Sequence, residues 1–234
     1  MEKLKALINY FTPFERGLWL SSIVLILASF FLFDGTNYPA LVASLLGATS
    51  LIFIAKGNPI GQVIIVIFSM IYSYIAYTYA YYGELITYVC MTLPMAIFAL
   101  ISWLRHPFDG NAAEVKVHKM TPIEIVVMVV VVILVTIVFY FILGALNTAN
   151  LIPSTLSVTT SFLGAYLIFM RSTYYGIGYA FNDIVIIVLW VLATMENIAY
   201  ISMVVCFVVF LVNDLYGFYN WKRMEKRQKQ LSES

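Results

Sequence analysis

The sequence predicts an all-α integral membrane protein of eight transmembrane helices: one extra N-terminal helix and a three-plus-one-plus-three bundle of two parallel repeats. Three observations predict it, namely an apolar composition, eight separate apolar runs and a sequence motif that occurs twice. The chain is 62% hydrophobic and 11% charged, with a mean hydropathy of +0.93. A soluble domain does not need so much apolar surface, so the composition alone indicates a membrane protein.

Eight apolar runs have the length of about 17–25 residues that a helix needs to cross a bilayer. Turn-forming residues separate them, as at Asp34-Gly35-Thr36-Asn37 and Lys56-Gly57-Asn58-Pro59. No small-residue cleavage site follows the first run, so we interpret it as a retained helix and not as a signal peptide. The predicted spans are residues 17–33, 38–55, 60–82, 85–104, 123–146, 152–170, 177–194 and 198–221.

The basic residues orient this predicted bundle. If the C-terminus is cytoplasmic, eight spans place the N-terminus there too, and all thirteen Lys and Arg residues fall on the cytoplasmic side. The predicted outer loops carry only the acidic residues Asp34, Glu84 and Glu196. This positive-inside distribution predicts a multi-pass cell-membrane protein with both termini in the cytoplasm. A net charge of +1 argues against a nucleic-acid partner.

The repeated sequence motif predicts how the helices are arranged. Ser44-Leu45-Leu46-Gly47-Ala48 is matched by Ser161-Phe162-Leu163-Gly164-Ala165, and each half ends on Trp and a basic residue, at Trp103 and Trp221. One helix, 123–146, separates the two triples, so corresponding helices cross in the same direction. Parallel repeats of this kind are typical of transporters, whose substrate path forms at the repeat interface.

The predicted parts of the chain follow from these spans. They are an N-terminal tail with the extra helix at 1–36, the first three-helix repeat at 37–105, a cytoplasmic loop with the linking helix at 106–151, the second repeat at 152–224, and a cytoplasmic tail at 225–234.

Two polar pairs inside the predicted spans point to a binding site. Asn182-Asp183 and Asn213-Asp214 lie roughly 10 Å from the cytoplasmic ends of neighbouring antiparallel helices. Polar groups in a span cost several kcal/mol unless they face a cavity or find partners, so they indicate function. Trp190 lies seven residues, or two helical turns, beyond Asp183 and shares its face.

Further candidates extend this site. Tyr216 and Asn220 follow Asn213 on one helix face, and Tyr88 is an aromatic residue of the first half. Amide and carboxylate groups beside aromatic rings suit a flat, hydroxyl-bearing and cationic ligand.

The repeat shows that the fold does not need these polar pairs. The positions equivalent to Asn182-Asp183 are Ile65-Val66, and the position equivalent to Asp214 is Ala96. Ligand binding explains this asymmetry, but two other interpretations stay open. The pairs could hydrogen-bond to each other or to backbone and determine helix packing. Asp183 and Asp214 could also serve a proton- or sodium-coupled transporter.

The sequence gives no indication of an enzyme. Cys90 and Cys206 lie in apolar runs without the partners of a metal site, and we expect them to be buried core residues. We find no metal cluster, phosphate loop or nucleophile motif, so we expect no catalytic residues, no metal and no cofactor.

The residues named above resemble those of the PnuC-type nicotinamide riboside transporters. The resemblance covers roughly residues 38–224, and its most specific part is the run Asn213-Asp214-Leu215-Tyr216-Gly217-Phe218-Tyr219-Asn220-Trp221. It implies a bundle similar in shape to SWEET sugar transporters, in a bacterial cytoplasmic membrane. It also implies uptake of nicotinamide riboside by facilitated diffusion for NAD synthesis, with trapping by a cytoplasmic nicotinamide riboside kinase.

The sequence also departs from that family. Gly176-Ile177-Gly178-Tyr179 stands where many members carry Trp-x-x-Trp, and the aromatic-rich end of the first half is reduced to Phe98-Ala99-Leu100-Ile101-Ser102-Trp103. Related transporters with the same fold carry thiamine or riboflavin, so these vitamins remain alternative substrates. The extra first helix is expected to be peripheral, and the oligomeric state, a homo-oligomer included, stays open.

Overall fold

The computed structural model describes residues 10–78, 82–148 and 150–233. A hairpin forms from β1 (Pro107–Phe108) and β2 (Asn111–Val115), and a 3-10 turn covers Ile198–Tyr200. The long helices of the described part are α1 (Pro13–Ser29, prolonged by a π-helical turn, Phe30–Asp34), α2 (Tyr38–Ala55), α3 (Ile60–Thr78), α4 (Tyr82–Thr87, a π-helical turn at Tyr88–Thr92, and Leu93–Arg105), α5 (Pro122–Ala145), α6 (Leu151–Phe169), α7 (Tyr175–Thr194) and α8 (Ile201–Glu233).

The helices confirm the predicted class of integral membrane protein. Within the described residues, seven helical stretches are long and apolar enough to cross a membrane, and the apolar part of α3, Ile60–Tyr74, is shorter. The helices coincide with the eight predicted spans, although residues 79–81 of the third span lie outside the described part. The last helix continues to Glu233, so most of the segment predicted as a tail is helical.

The same local motif begins two of the helices. Thr12 and Thr121 each precede a proline at the first helical position and a glutamate three residues on. In both cases the glutamate carboxylate accepts a hydrogen bond of 2.7 Å from the threonine N–H, and the threonine hydroxyl accepts one from the glutamate N–H. This capping box satisfies backbone donors that a helix start leaves open, and proline there costs no hydrogen bond.

The two ends of the bundle differ in charge. We call the end that holds loop 56–59, segment 106–121 and loop 170–174 the tail end, because both terminal segments of the described chain also lie there. Backbone hydrogen bonds join these three loops. The opposite end, with the turns at 35–37, 146–148 and 195–200, is the far end. Every Lys and Arg of the described residues belongs to the tail-end loops or to the helix ends beside them, while Lys3 and Lys5 lie outside the described part.

The helices pack in a reciprocal pattern. α2 packs against α3 and α8, while α6 packs against α7 and α4. The third helix of each triple thus contacts the first helix of the other triple. The extra helix α1 lies against α2 and α8, where Ile26 and Phe30 share a buried cluster with Ala48 and Val209.

Candidate functional site

A cavity of about 450 Å³ opens between the helices toward the far end. One wall is aromatic and comes from the first triple, with Phe68 and Tyr72 on α3 and Tyr88 on α4. The rings of Tyr72 and Tyr88 lie 4.3 Å apart between centroids, and Phe68 lies 5.9 Å from Tyr88. Close tilted rings of this kind form a rigid apolar surface on which a flat ligand can stack.

The position of Tyr88 depends on a proline six residues further along α4. Pro94 has no N–H and its ring collides with the carbonyl four residues earlier in a regular helix. The chain accommodates it with the π-helical turn Tyr88–Thr92, in which the N–H of Leu93 reaches back to the carbonyl of Tyr88. The wider turn re-aims the side chains of this segment, and such π turns occur often at functional sites.

The opposite wall comes from the second triple. Trp190 on α7 lines the cavity, and its ring lies 5.3 Å from that of Tyr200. Phe207 and Phe210 on α8 complete this wall, with their rings 5.4 Å apart. Aromatic faces from both triples therefore enclose one space.

Hydroxyl groups supply the polar part of the cavity. Ser154, Ser157 and Ser161 share one face of α6, and Thr87 and Thr92 face the cavity from α4. Among the described residues that line it, none is Asp, Glu, Lys or Arg. The cavity is thus suited to a ligand that stacks and forms neutral hydrogen bonds.

The two Asn-Asp pairs are buried beside this cavity and do not line it. Asn182 accepts a hydrogen bond of 3.0 Å from the Thr160 hydroxyl. Asn213 donates to the hydroxyl of Ser22 on α1 at 3.0 Å and to the carbonyl of Val209 at 2.8 Å. The extra helix therefore contributes a partner to one of the predicted site residues.

The aspartates of these pairs adjoin each other. The carboxyl groups of Asp183 and Asp214 lie within hydrogen-bonding reach, and both residues are 3% exposed. Asp183 Oδ2 and Asn213 Oδ1 have no hydrogen-bond partner. Buried polar atoms rarely remain unpaired, so these two oxygens are candidates for a water, an ion or a ligand group.

Tyr216 and Asn220 lie away from the cavity, at the tail end. The Tyr216 hydroxyl donates to Glu15 at 2.9 Å, and Glu15, only 2% exposed, also pairs with Lys56 at 3.1 Å. Tyr216 and Asn220 both line a separate tail-end pocket of about 710 Å³. Tyr10 lines it as well, and burial raises the pKa of its phenol, whose oxygen accepts a hydrogen bond from Asn58.

Asn220 takes part in a reciprocal set of hydrogen bonds across the bundle. Its Nδ2 donates to the carbonyl of Ala55 at 2.8 Å, as the Ser102 hydroxyl does to the carbonyl of Phe169 at 3.0 Å. Ala55 and Phe169 are the last residues of α2 and α6. In the conformation observed, Asn220 therefore helps α8 to pack against the end of α2.

Two tryptophans extend the same reciprocity. Trp221 Nε1 donates to the carbonyl of Ile54 at 2.8 Å, and Trp103 Nε1 donates to that of Ile168 at 3.0 Å. The two indoles meet at the centre of the tail end, 5.4 Å apart, and are at most 1% exposed. Both belong to the buried apolar cluster of this end of the bundle.

The sequence interpretation missed part of the cavity. It named Tyr88 but neither Tyr72 nor the serines of α6. The spacing of Ser154, Ser157 and Ser161 at i, i+3 and i+7 was a signal that these hydroxyls share one helix face. Within the described residues, no group of three or more His, Cys, Asp or Glu could hold a metal ion.

A multi-pass helical bundle with an aromatic and hydroxyl-lined cavity between its helices has the architecture of a membrane transporter. The sequence profile of the nicotinamide mononucleotide transporter family matches residues 37–223. The chain belongs to this family, which confirms the resemblance drawn from the sequence and the expectation of a transporter and not an enzyme.

Two relatives support this assignment. The chain is 26% identical over 227 residues to the nicotinamide riboside transporter PnuC of Neisseria mucosa. The alignment covers 95% of this chain and 86% of that protein. The crystal structure of the vitamin B3 transporter PnuC matches with a TM-score of 0.78 and 24% identity, covering 93% of this chain and 94% of that one. This second likeness shows a shared fold.

Proposed function

We propose that this protein takes up nicotinamide riboside by facilitated diffusion for NAD synthesis, and that a cytoplasmic kinase traps the product. The observation that carries this proposal is the cavity, with aromatic walls from both triples and hydroxyls on α4 and α6. Nicotinamide riboside has a cationic aromatic ring, which aromatic faces attract, and ribose hydroxyls, which serines and threonines bind.

The cavity favours the nucleoside over its phosphorylated form. The family is named for the mononucleotide, whereas the Neisseria mucosa relative is named for the riboside. A phosphate group carries negative charge and is usually held by Arg, Lys or a cluster of backbone N–H groups. Because no basic residue is found among the described lining residues, a nucleotide would lose its hydration without compensation.

We further propose the three-plus-one-plus-three arrangement of two parallel repeats, with the shape of SWEET transporters. The reciprocal bonds of Trp103 and Trp221 support it, since each triple completes the other at corresponding carbonyls. The basic residues support a cytoplasmic tail end. In that orientation the cavity opens outward and the structure represents an outward-facing state.

The predicted site residues take different roles in this proposal. Tyr88 and Trp190 bind the substrate in the outward-facing cavity. The two Asn-Asp pairs lie between this cavity and the tail end. They bind the substrate when the cavity extends toward the tail end; the pairs are Asn182-Asp183 and Asn213-Asp214. Tyr216 and Asn220 lie further along the same route, at the tail-end pocket.

The adjoining carboxyl groups favour a second candidate, a proton- or sodium-coupled transporter. Asp183 and Asp214 lie together in the bundle core, and Asp183 has one unpartnered oxygen. Two carboxylates buried together require a compensating positive charge, which a proton or Na⁺ supplies. Uptake into vesicles without the kinase separates the candidates, because an uncoupler or the removal of Na⁺ stops coupled transport and leaves facilitated diffusion unchanged.

Calorimetric titration of the detergent-purified protein tests the substrate. We expect saturable binding of nicotinamide riboside, with no signal for nicotinamide mononucleotide, thiamine or riboflavin. Binding of thiamine or riboflavin alone would keep the architecture and replace the substrate. Stronger binding of the mononucleotide than of the riboside would contradict the argument from the uncharged lining.

A further inference from the structure

The segment between α4 and α5 is packed against the tail end and is not a loose loop. Val115, at the end of β2, is 0% exposed and belongs to the same apolar cluster as Trp103 and Trp221. It packs in the buried cluster that these two indoles form at the tail end. We call residues 114–118 the strap.

The strap is hydrogen-bonded to corresponding points of both triples. The N–H of Val115 donates to the carbonyl of Gly57 at 2.9 Å, and the N–H of His118 donates to that of Arg171 at 3.0 Å. Gly57 and Arg171 both have positive φ, of 67° and 56°, and each lies two residues beyond the last residue of its helix. The strap therefore bridges the ends of α2 and α6.

One side chain of α8 holds the strap in this position. Gln228 is 6% exposed, and its amide bonds to the strap on both sides. Nε2 donates to the carbonyl of Val115 at 3.0 Å and to Glu114 Oε1 at 2.7 Å, while Oε1 accepts from the N–H of Val117 at 2.9 Å. Arg227 pairs with Glu114 beside it. A buried amide that satisfies strap backbone on both sides specifies one position for that backbone.

We propose that Gln228 is a positioning residue that keeps the strap on the tail end, and that the strap must leave for the tail end to open. This inference rests on the proposed transport function, since a transporter has to expose its site to each side in turn. As long as the strap is bonded to both helix ends and Val115 packs in the cluster of the two indoles, α2 and α6 cannot separate at the tail end.

A covalent bridge between the strap and α8 tests the movement. The expectation that Cys90 is buried is wrong, since the residue is exposed, whereas Cys206 is buried. The test therefore uses a Cys90→Ser background, in which Glu114→Cys and Arg227→Cys are joined by a short bifunctional thiol reagent that a reducing agent cleaves. We expect bridging to slow nicotinamide riboside uptake in proteoliposomes by at least about tenfold while the affinity changes by less than about twofold. Reduction restores uptake. The matched control is Lys226→Cys with Gln230→Cys, one turn apart on the exposed face of α8, whose bridge leaves uptake unchanged.

Two results would overturn the proposal: uptake by the bridged strap pair at the unbridged rate, or loss of binding together with uptake. The unbridged protein is measured first, and failure of that protein to bind or transport nicotinamide riboside counts against the proposed substrate.

A measurement without substrate tests Gln228 separately. Gln228→Ala should speed hydrogen exchange of the Val115 and Val117 amides by at least about tenfold, since both depend on the strap's position. The exposed Gln230→Ala, two residues further along α8, should not change it. Equal exchange in the two variants would remove Gln228 from its positioning role whatever the substrate is.

Discussion

The two ends of the bundle are built from the same helices and are packed in opposite ways. At the far end, rings and hydroxyls of both triples surround a cavity of about 450 Å³. At the tail end, Trp103, Trp221 and Tyr175 are at most 1% exposed, and both indoles bond to the opposite triple. The difference shows that closure here depends on large side chains that find backbone partners across the interface.

The tight packing of the tail end can be broken at a glycine. A Cβ at Gly176 would lie 2.8 Å from the backbone nitrogen of Phe218 and closer still to the carbonyl of Asp214. Gly176→Ala should therefore lower the free energy of unfolding by about 3 kcal/mol, because neither backbone atom can move aside easily. Thermal unfolding in detergent measures this change.

The control for this substitution is Gly17→Ala on α1. Nothing lies within 4 Å of a Cβ at Gly17, so this variant should gain about 0.5–1 kcal/mol from helix propensity. Equal stability of the two variants would show that α7 and α8 are not tightly packed at the tail end.

The open end can be tested through substrate affinity. Trp190→Ala should weaken nicotinamide riboside binding by more than about tenfold, or about 1.4 kcal/mol, because it removes the stacking surface of one wall. Tyr216→Phe, which removes only the hydrogen bond to Glu15 at the tail end, should leave affinity within about twofold. Calorimetry measures both, and unchanged affinity in Trp190→Ala would remove that residue from the site.

The smallest expected effect concerns the reciprocal bonds. Asn220→Ala and Ser102→Ala each leave a buried carbonyl without its donor, so each should cost about 1 kcal/mol of stability. Ser21→Ala, at an exposed hydroxyl that bonds only within its own helix, should change stability by less than about 0.5 kcal/mol. A large cost for only one of the pair would mean that the two sides are not energetically equivalent.

The sequence was sufficient for the membrane class and the helices, because hydropathy and turn residues depend on the chain itself. It also placed Asp183 and Asp214 at one depth on neighbouring helices, and their carboxyl groups lie within hydrogen-bonding reach. That these residues bind the substrate stays a prediction. The sequence did not predict that Tyr216 and Asn220 lie away from the cavity. Spacing at i+3 and i+7 gives a helix face, but the neighbour that covers this face, here α1 with Glu15, depends on long-range packing.

The strap was also beyond sequence reasoning. Segment 106–121 reads as a polar loop, and the burial of Val115 results from contacts with residues more than a hundred positions away, such as Gln228. The extra helix α1 likewise reads as peripheral, although its Ser22 and Glu15 bond to α8. In both cases a polar partner distant in sequence determines the position.

The reciprocal tryptophan bonds have a consequence for the history of the chain. The Trp103 indole donates to a carbonyl of the second triple, and the Trp221 indole donates to one of the first. Neither triple therefore supplies the donor for its own carbonyl at the tail end. In a single triple made alone, this carbonyl would need a hydrogen bond from the indole of a second copy, and its own indole would bond to that copy in the same way. If the two triples are the repeats proposed above, an ancestor with one triple would have needed a second copy of itself to complete this end.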